Sequence, residues 1–171
     1  MKPDGQPVDG AVLLGATVAS GKVALDEACF NPALISYYGI EPYLKGLAVQ
    51  NIQEIDHLII DGVRNLLFDP PAGTELGATN LQRGRDQGMA DYKQARVDFG
   101  LDPVSDFTHF PADVGVKLSE AYGGDLSKID VFAGAISERH LAGGSVGELV
   151  HAVLVDQFTR LRDGDRFYYE N

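Results

Sequence analysis

Cysteine is nearly absent: Cys29, followed by Phe30 in an apolar context, is the only one in 171 residues. A lone cysteine makes no internal disulfide, and its ordinary role is that of a small core side chain. The compartment stays open, because proteins without disulfides occur on either side of a membrane. Basic residues are also scarce, 14 Lys and Arg against 25 Asp and Glu, for a net charge of −11. A field of that sign repels phosphate backbones, so nucleic acid is excluded as an expected partner. No uninterrupted apolar stretch is long enough to span a bilayer, and Met1-Lys2-Pro3-Asp4-Gly5 does not read as a signal peptide. Internal repeats and low-complexity segments are missing too.

What is present suits a packed fold. The hydrophobic share is 44% and the charged share 23%, enough for a core and inconsistent with a disordered tail. Residues 1–10 carry Pro3, Gly5, Pro7 and Gly10 and predict an exposed loop. Residues 11–24 allow short strands or an extended segment, and the pattern from Pro32 onward is helical. A short apolar run at 33–38 is broken by Gly39 and Pro42 ahead of Leu44 and Leu47.

The periodicity of Ile52, Ile55, Ile59, Val63 and Leu66 predicts a helix over 51–68, with Asn51 and Glu54 as a capping box and Pro70-Pro71-Ala72-Gly73 as its end. Further helices are expected from Glu75 to about Gln87, over 91–98, and over 112–121 between Pro111 and Gly123-Gly124. Ser145 and Glu148 suggest another capping box, heading a helix through 161 with Val146, Leu149, Val150, Val153, Phe158 and Leu161 on its apolar face. Arg160 and Arg162 near its end suit the helix dipole. The fold class is mainly α.

Several motifs fail on spacing. Gly15 and Gly21 are separated by five residues where the phosphate loop has four, and Val23 stands where that loop needs Ser or Thr. Asp163-Gly164-Asp165 lacks the further oxygen ligands of a Ca²⁺ loop. His57, His109, His140 and His151 are scattered singly, with none at a metal-ligand spacing. His57 and His151 are expected within helices and His109 in a loop, each in a structural role. No nucleophile elbow exists, and no His lies near Cys29 in sequence to activate it.

The segment 79–88 carries more information. As a helix it places Asn80, Arg83, Gly84 and Gln87 on one face. A mid-helix glycine costs about 1 kcal/mol relative to alanine, which asks for close approach by another element or a flat ligand. Arg83 could grip a carboxylate, and Asn80 could accept from an imidazole N–H. Arg85 and Asp86 point elsewhere, toward neighbouring helices. The ordinary role of such residues is an interhelical polar network, and that reading stays open beside the ligand-facing one.

Asn80-Leu81-Gln82-Arg83-Gly84-Arg85-Asp86-Gln87-Gly88 resembles the signature L-N-x-Q-R-[GS]-R-D-H-G of the peroxidase–cyclooxygenase superfamily, the animal-type haem peroxidases. Supporting blocks occur in the family's order. Phe30-Asn31-Pro32 with Gly39 to Leu47 resembles F-N-P … G-I-D-P-x-L-R-G-L, and Asp61 to Phe68 resembles D-x-x-R-x-x-L-F. Asp130 to Glu138 resembles D-L-x-x-G-x-x-S-E, and Asp156 to Asn171 resembles D-Q-F-x-R-L-R-D-G-D-R-F-[WY]-Y-E-N.

The resemblance implies the C-terminal portion of that helical fold, with residues 1–29 an N-terminal loop and extended segment and 30–171 one incomplete domain. It implies a peroxidase using haem, hydrogen peroxide and a reducing substrate. In such an enzyme Asn80 would support the proximal histidine, and Arg83 would bind a haem propionate. Gln87 stands where the family has His, and Thr79 where it commonly has Leu. No R-x-G-H-type segment precedes Phe30, and nothing here matches the distal His, the catalytic Arg or the acidic residues that can bond to haem. No catalytic or metal-ligating residue is therefore assigned in this chain. The missing groups are expected from an N-terminal part or another chain, and the isolated chain is expected to be inactive. The alternative is a non-catalytic helical remnant, or a binding or structural module that has lost haem.

Overall fold

The computed structural model describes residues 11–13, 16–19, 22–29, 31–66 and 75–170. The expected loop at 1–10, Gly15, Ser20, Gly21, Phe30, the stop at Pro70–Gly73 and Asn171 lie outside them. Helix predominates, as the sequence predicts. The chain divides into two compact units, Met1–Gln53 with Ile59–Gly77, and Glu54–Leu58 with Ala78–Asn171.

In the first unit, β1 (Ala11–Leu13), β2 (Ala16–Ala19) and β3 (Lys22–Val23) form an antiparallel sheet in sequence order, with Ala11 opposite Val18 and Val18 opposite Val23. The glycine-flanked segment is thus a meander. Three short helices follow, α1 (Leu25–Ala28), α2 (Ala33–Tyr38) and α3 (Glu41–Val49). Gly39, with φ of 72°, separates α2 from α3, and Pro42 sits in the first turn of α3, where its missing N–H is not needed.

The helix expected over 51–68 does not form. Residues 51–60 are irregular, and only a π-helical turn at Gly62–Leu66 follows. Polar groups that a helix would use are engaged elsewhere. The Ile55 carbonyl accepts from His140 Nε2 at 2.8 Å, Glu54 pairs with His140 Nδ1 at 3.1 Å, and Asp56 Oδ1 takes the Leu58 N–H at 2.7 Å. Such local side-chain bonds compete with helix, and a run rich in β-branched residues resists them weakly. Asn51 therefore caps nothing, and His57 lies in a bend rather than a helix.

The second unit holds α4 (Leu76–Asp86, which begins in the first unit), α5 (Tyr92–Asp98), α6 (Ala112–Ala121), α7 (Val131–Ala135) and α8 (Glu148–Gly164). Its core is Tyr92, Ala95, Val104, Phe110, Val114, Leu118, Ile129 and Leu149. The Asp91 carboxylate caps α5 by accepting from Gln94 N at 3.0 Å, while Pro111 opens α6 and Gly123-Gly124, both at positive φ, close it. Three glycines are required by packing: a Cβ on Gly115 would overlap the Phe107 carbonyl, one on Gly134 the Tyr92 ring, and one on Gly147 the Glu138 side chain.

The capping box expected at Ser145 is absent. Gly147 is the N-cap of α8, and the Glu148 carboxylate accepts from Arg96 at 2.6 Å instead. His151 lies in α8 as expected, and His109 ends a 3-10 turn at Phe107–His109.

Candidate functional site

Helix α4 ends in a left-handed turn that shapes a concavity. Gly88 has φ of 69°, its N–H reaches the Arg85 carbonyl, and Met89 N–H reaches the Gly84 carbonyl, each at 3.0 Å. This paired bonding satisfies the last helical carbonyls and turns the chain back along the helix. An alanine at 88 would hold an L side chain at positive φ, costing about 1 kcal/mol. Gly88→Ala is accordingly expected to shift a urea unfolding midpoint modestly downward without changing its slope.

The segment after Gly88 is tied to the α7 entrance. Tyr92 N–H bonds the Ile129 carbonyl at 2.8 Å, and Asp91 and Asp130 form an isolated antiparallel bridge. Arg85 crosses between α4 and α7 with two bonds to the Asp130 carboxylate, Nε at 2.8 Å and Nη2 at 2.7 Å. Tyr122 donates a third at 2.8 Å. The Arg85 bond, aided by Tyr122, holds the Asp130 carboxyl below the usual carboxylate range, and the same bond raises Arg85.

The concavity so formed measures about 580 Å³ and is lined by Asn80, Leu81 and Arg83–Arg85 of α4, by Gln87 and Met89–Asp91 after it, and by Lys128–Phe132. Asn80 and Arg83 both line it. Among the described residues, neither the Asn80 amide nor the Arg83 guanidinium has a hydrogen-bond or ion-pair partner. Among the described residues, a Cβ on Gly84 would meet only Met89 Sδ, at an ordinary 3.5 Å, so none of them demands the glycine. Arg85 is committed to Asp130, and Asp86 accepts from Gln82 at 2.6 Å within the helix. Beside apolar walls, the lining has two amides, the free Arg83 guanidinium, Lys128, Asp91 and the paired Arg85 and Asp130, but no imidazole. No group of metal-binding side chains occurs among the described residues. This donor set suits the edge of a carboxylate-bearing flat ligand and offers nothing to bind its metal.

Behind this surface lies a buried ionic network that the sequence reading missed. Arg96, 2% exposed, donates from Nη1 to Glu138 Oε1, from Nη2 to Glu148 Oε2 at 2.6 Å, and from Nε to the Asp102 carbonyl at 2.9 Å. Glu138 also accepts from the Tyr92 hydroxyl at 2.5 Å and from Leu149 N–H at 2.8 Å, which seats the start of α8. Because Tyr92 donates to Glu138, its oxygen must accept from His109 Nε2, 3.0 Å away. Burial and the bond to Glu138 push the Tyr92 phenol far above its ordinary range. Burial and the Arg96 charge push His109 down. A visible signal did exist: Tyr92, Ala95 and Arg96 share one face of α5, and an arginine on an apolar face calls for an acid.

Both depressed groups bind fewer protons folded than unfolded, so their stability contribution is present at higher pH and lost on acidification. For His109 the loss begins below about pH 6.5, and for Asp130 below about pH 3.9. A plot of unfolding free energy against pH should fall in those two windows. His109→Gln should remove the upper fall and keep the lower, and an unchanged upper fall would contradict the assignment.

The chain matches the family described as animal haem peroxidase over residues 9–171. It belongs to that family. It is 37% identical to peroxinectin A of Dictyostelium discoideum over 145 residues, covering 82% of this chain and 27% of that protein. It is 35% identical to chorion peroxidase of Drosophila melanogaster, covering 86% of this chain and 18% of that protein. Among solved structures, peroxidase A from Dictyostelium discoideum superposes with a TM-score of 0.76 at 35% identity, covering 83% of this chain and 28% of that one. A fatty acid alpha-dioxygenase of Oryza sativa shares the fold at 21% identity and a TM-score of 0.70. The chain therefore spans under a third of these relatives. Within this peroxidase-family chain, the block beginning at Asp130 supplies the partner of Arg85, and its last residue, Glu138, supplies the partner of Arg96.

Proposed function

We propose that this chain serves a haem-dependent peroxidase, reducing hydrogen peroxide and oxidising a donor, and that its own share is support of the proximal side. The observation that carries this is the pair Asn80 and Arg83, unpartnered on one face of α4 at one concavity, beside Gly84. The Asn80 carbonyl oxygen would accept the free N–H of an axial imidazole, fixing the ring and raising its basicity. The Arg83 guanidinium would donate to a propionate. Arg85 is unsuited to that task, because Asp130 already occupies it. Haem, when bound, supplies the iron at which peroxide is reduced.

The axial His, the distal His and the polarising Arg would come from polypeptide outside these 171 residues. None of this chain's histidines lines the concavity, and two of them are engaged: His109 with Tyr92, and His140 with Ile55 and Glu54. The haem-loaded chain is accordingly expected to oxidise a phenolic donor no faster than free haem, since acid–base catalysis worth roughly 10²–10⁴-fold is missing. Vigorous turnover abolished by His57→Ala or His109→Ala would contradict this. The missing imidazole favours one other reading, a helical module that has lost haem. A haem titration separates the two: a Soret band that saturates supports the peroxidase reading, and none supports the module.

A further inference from the structure

We infer that the groove between the Phe107–His109 turn and α6 is a second ligand site, and that it takes a small aromatic monocarboxylate. The groove measures about 420 Å³, inside the range of roughly 300–1,000 Å³ usual for small-molecule sites. It is shaped by the bare backbone of Gly115: a Cβ there would overlap the Phe107 carbonyl, so α6 lies directly on the turn. Phe107, Phe110 and Val116 supply apolar walls, with Val116 59% exposed at the rim. From Ala112 to Ser119 the groove follows seven residues of α6, about 10 Å of helix, the length of one ring with a short arm. It shares no lining residue with the concavity at Asn80 and Arg83.

Arg139 sets the chemistry of the occupant. Among the described residues of the lining it alone carries charge, and it is positive on a protein of net charge −11. Its Nη1 donates to the Thr108 carbonyl at 3.3 Å and to the His109 carbonyl at 2.5 Å, which uses both Nη1 hydrogens and fixes the guanidinium plane. Nε and Nη2 form the other edge, and among the described residues neither has a partner. Two parallel N–H groups on a planar fork already held in place match the two oxygens of a carboxylate, and little side-chain freedom is lost when it docks. Asp106, the acid of the same turn, does not compete, because its oxygens accept from Thr108 and Ser105. His109 adds no second cation, since burial and then the Arg96 charge push its imidazole down. One fixed cation thus selects one carboxylate, and the two phenylalanines select an aromatic body. The inference does not rest on the roles given to Asn80 and Arg83, so failure of haem binding leaves it standing.

The test is an amide-resolved NMR titration of the 171-residue chain with 3-phenylpropionate. Saturable shifts are expected at Gly115, Val116 and Ser119. Arg139→Gln should weaken the affinity about tenfold or more, the cost of losing a charge-assisted pair. The neutral amide of the same acid should bind both proteins alike, at the level of the weakened variant. Val116→Trp should abolish binding by filling the groove from an exposed position, and it carries the test where Arg139→Gln disturbs the turn. Arg83→Ala should bind as the wild type does, which separates this site from the Asn80 concavity. The amide spectrum of each variant reports whether the Tyr92 core is intact. Shifts that are absent or do not saturate, unchanged affinity in Arg139→Gln or Val116→Trp, or shifts that gather at Asn80–Asp91 and vanish in Arg83→Ala would each overturn the inference.

Discussion

Glu138→Ala should cost the second unit about 3–5 kcal/mol, because it leaves Arg96 charged inside the protein with one of its carboxylates gone. Glu138 is the hub of the network: Arg96, Tyr92 and Leu149 N–H all donate to it. Its loss strands three buried donors, and only Arg96 keeps another anion, the half-exposed Glu148. The melting temperature should fall by more than about 10 °C. Arg96→Met combined with Glu138→Leu should recover much of the loss, since apolar replacement of a whole buried pair is often near neutral. A Glu138→Ala variant that melts with the wild type would show the network to be marginal to stability.

The second large effect concerns ligand affinity. With haem and free imidazole added to the chain, Asn80→Ala and Arg83→Ala should each weaken haem binding by about 10–100-fold, the usual cost of removing a group that orients a metal ligand. The two losses should differ in kind. Arg83→Ala removes a bond to propionate whether or not imidazole is present, whereas Asn80→Ala acts only through the imidazole N–H. Neither change should lower the melting temperature of the unliganded chain appreciably, because neither side chain has a partner there.

The shared face of Asn80, Arg83 and Gly84 was legible because α4 is short, polar and closed by Gly88, so local rules decide it. The same holds for α5 and α6, each with a recognisable start at Asp91 and Pro111. The stretch 51–60 was misread because its isoleucine period mimics a helix, while the bonds that settle its shape come from His140, about 85 positions away. Glu148 was misread for a related reason: three residues after a serine it looks like a cap, yet Arg96 draws it away. Long-range ion pairs leave no periodic trace, so although the place of Arg96 on an apolar face called for an acid, its partner Glu138 and the pairing of Arg85 with Asp130 became visible only in three dimensions.

The most direct test of the proximal-support role is a spectroscopic titration of the wild-type chain with three ligand sets: haem, haem with imidazole, and haem dimethyl ester with imidazole. The account predicts that imidazole tightens haem binding to the wild-type chain and gives no such gain in Asn80→Ala. It also predicts that esterified haem binds wild type and Arg83→Ala equally, because the guanidinium has lost its carboxylate. If imidazole helps both proteins alike, or esterification weakens binding to Arg83→Ala as much as to wild type, then Asn80 and Arg83 do not hold haem and its ligand.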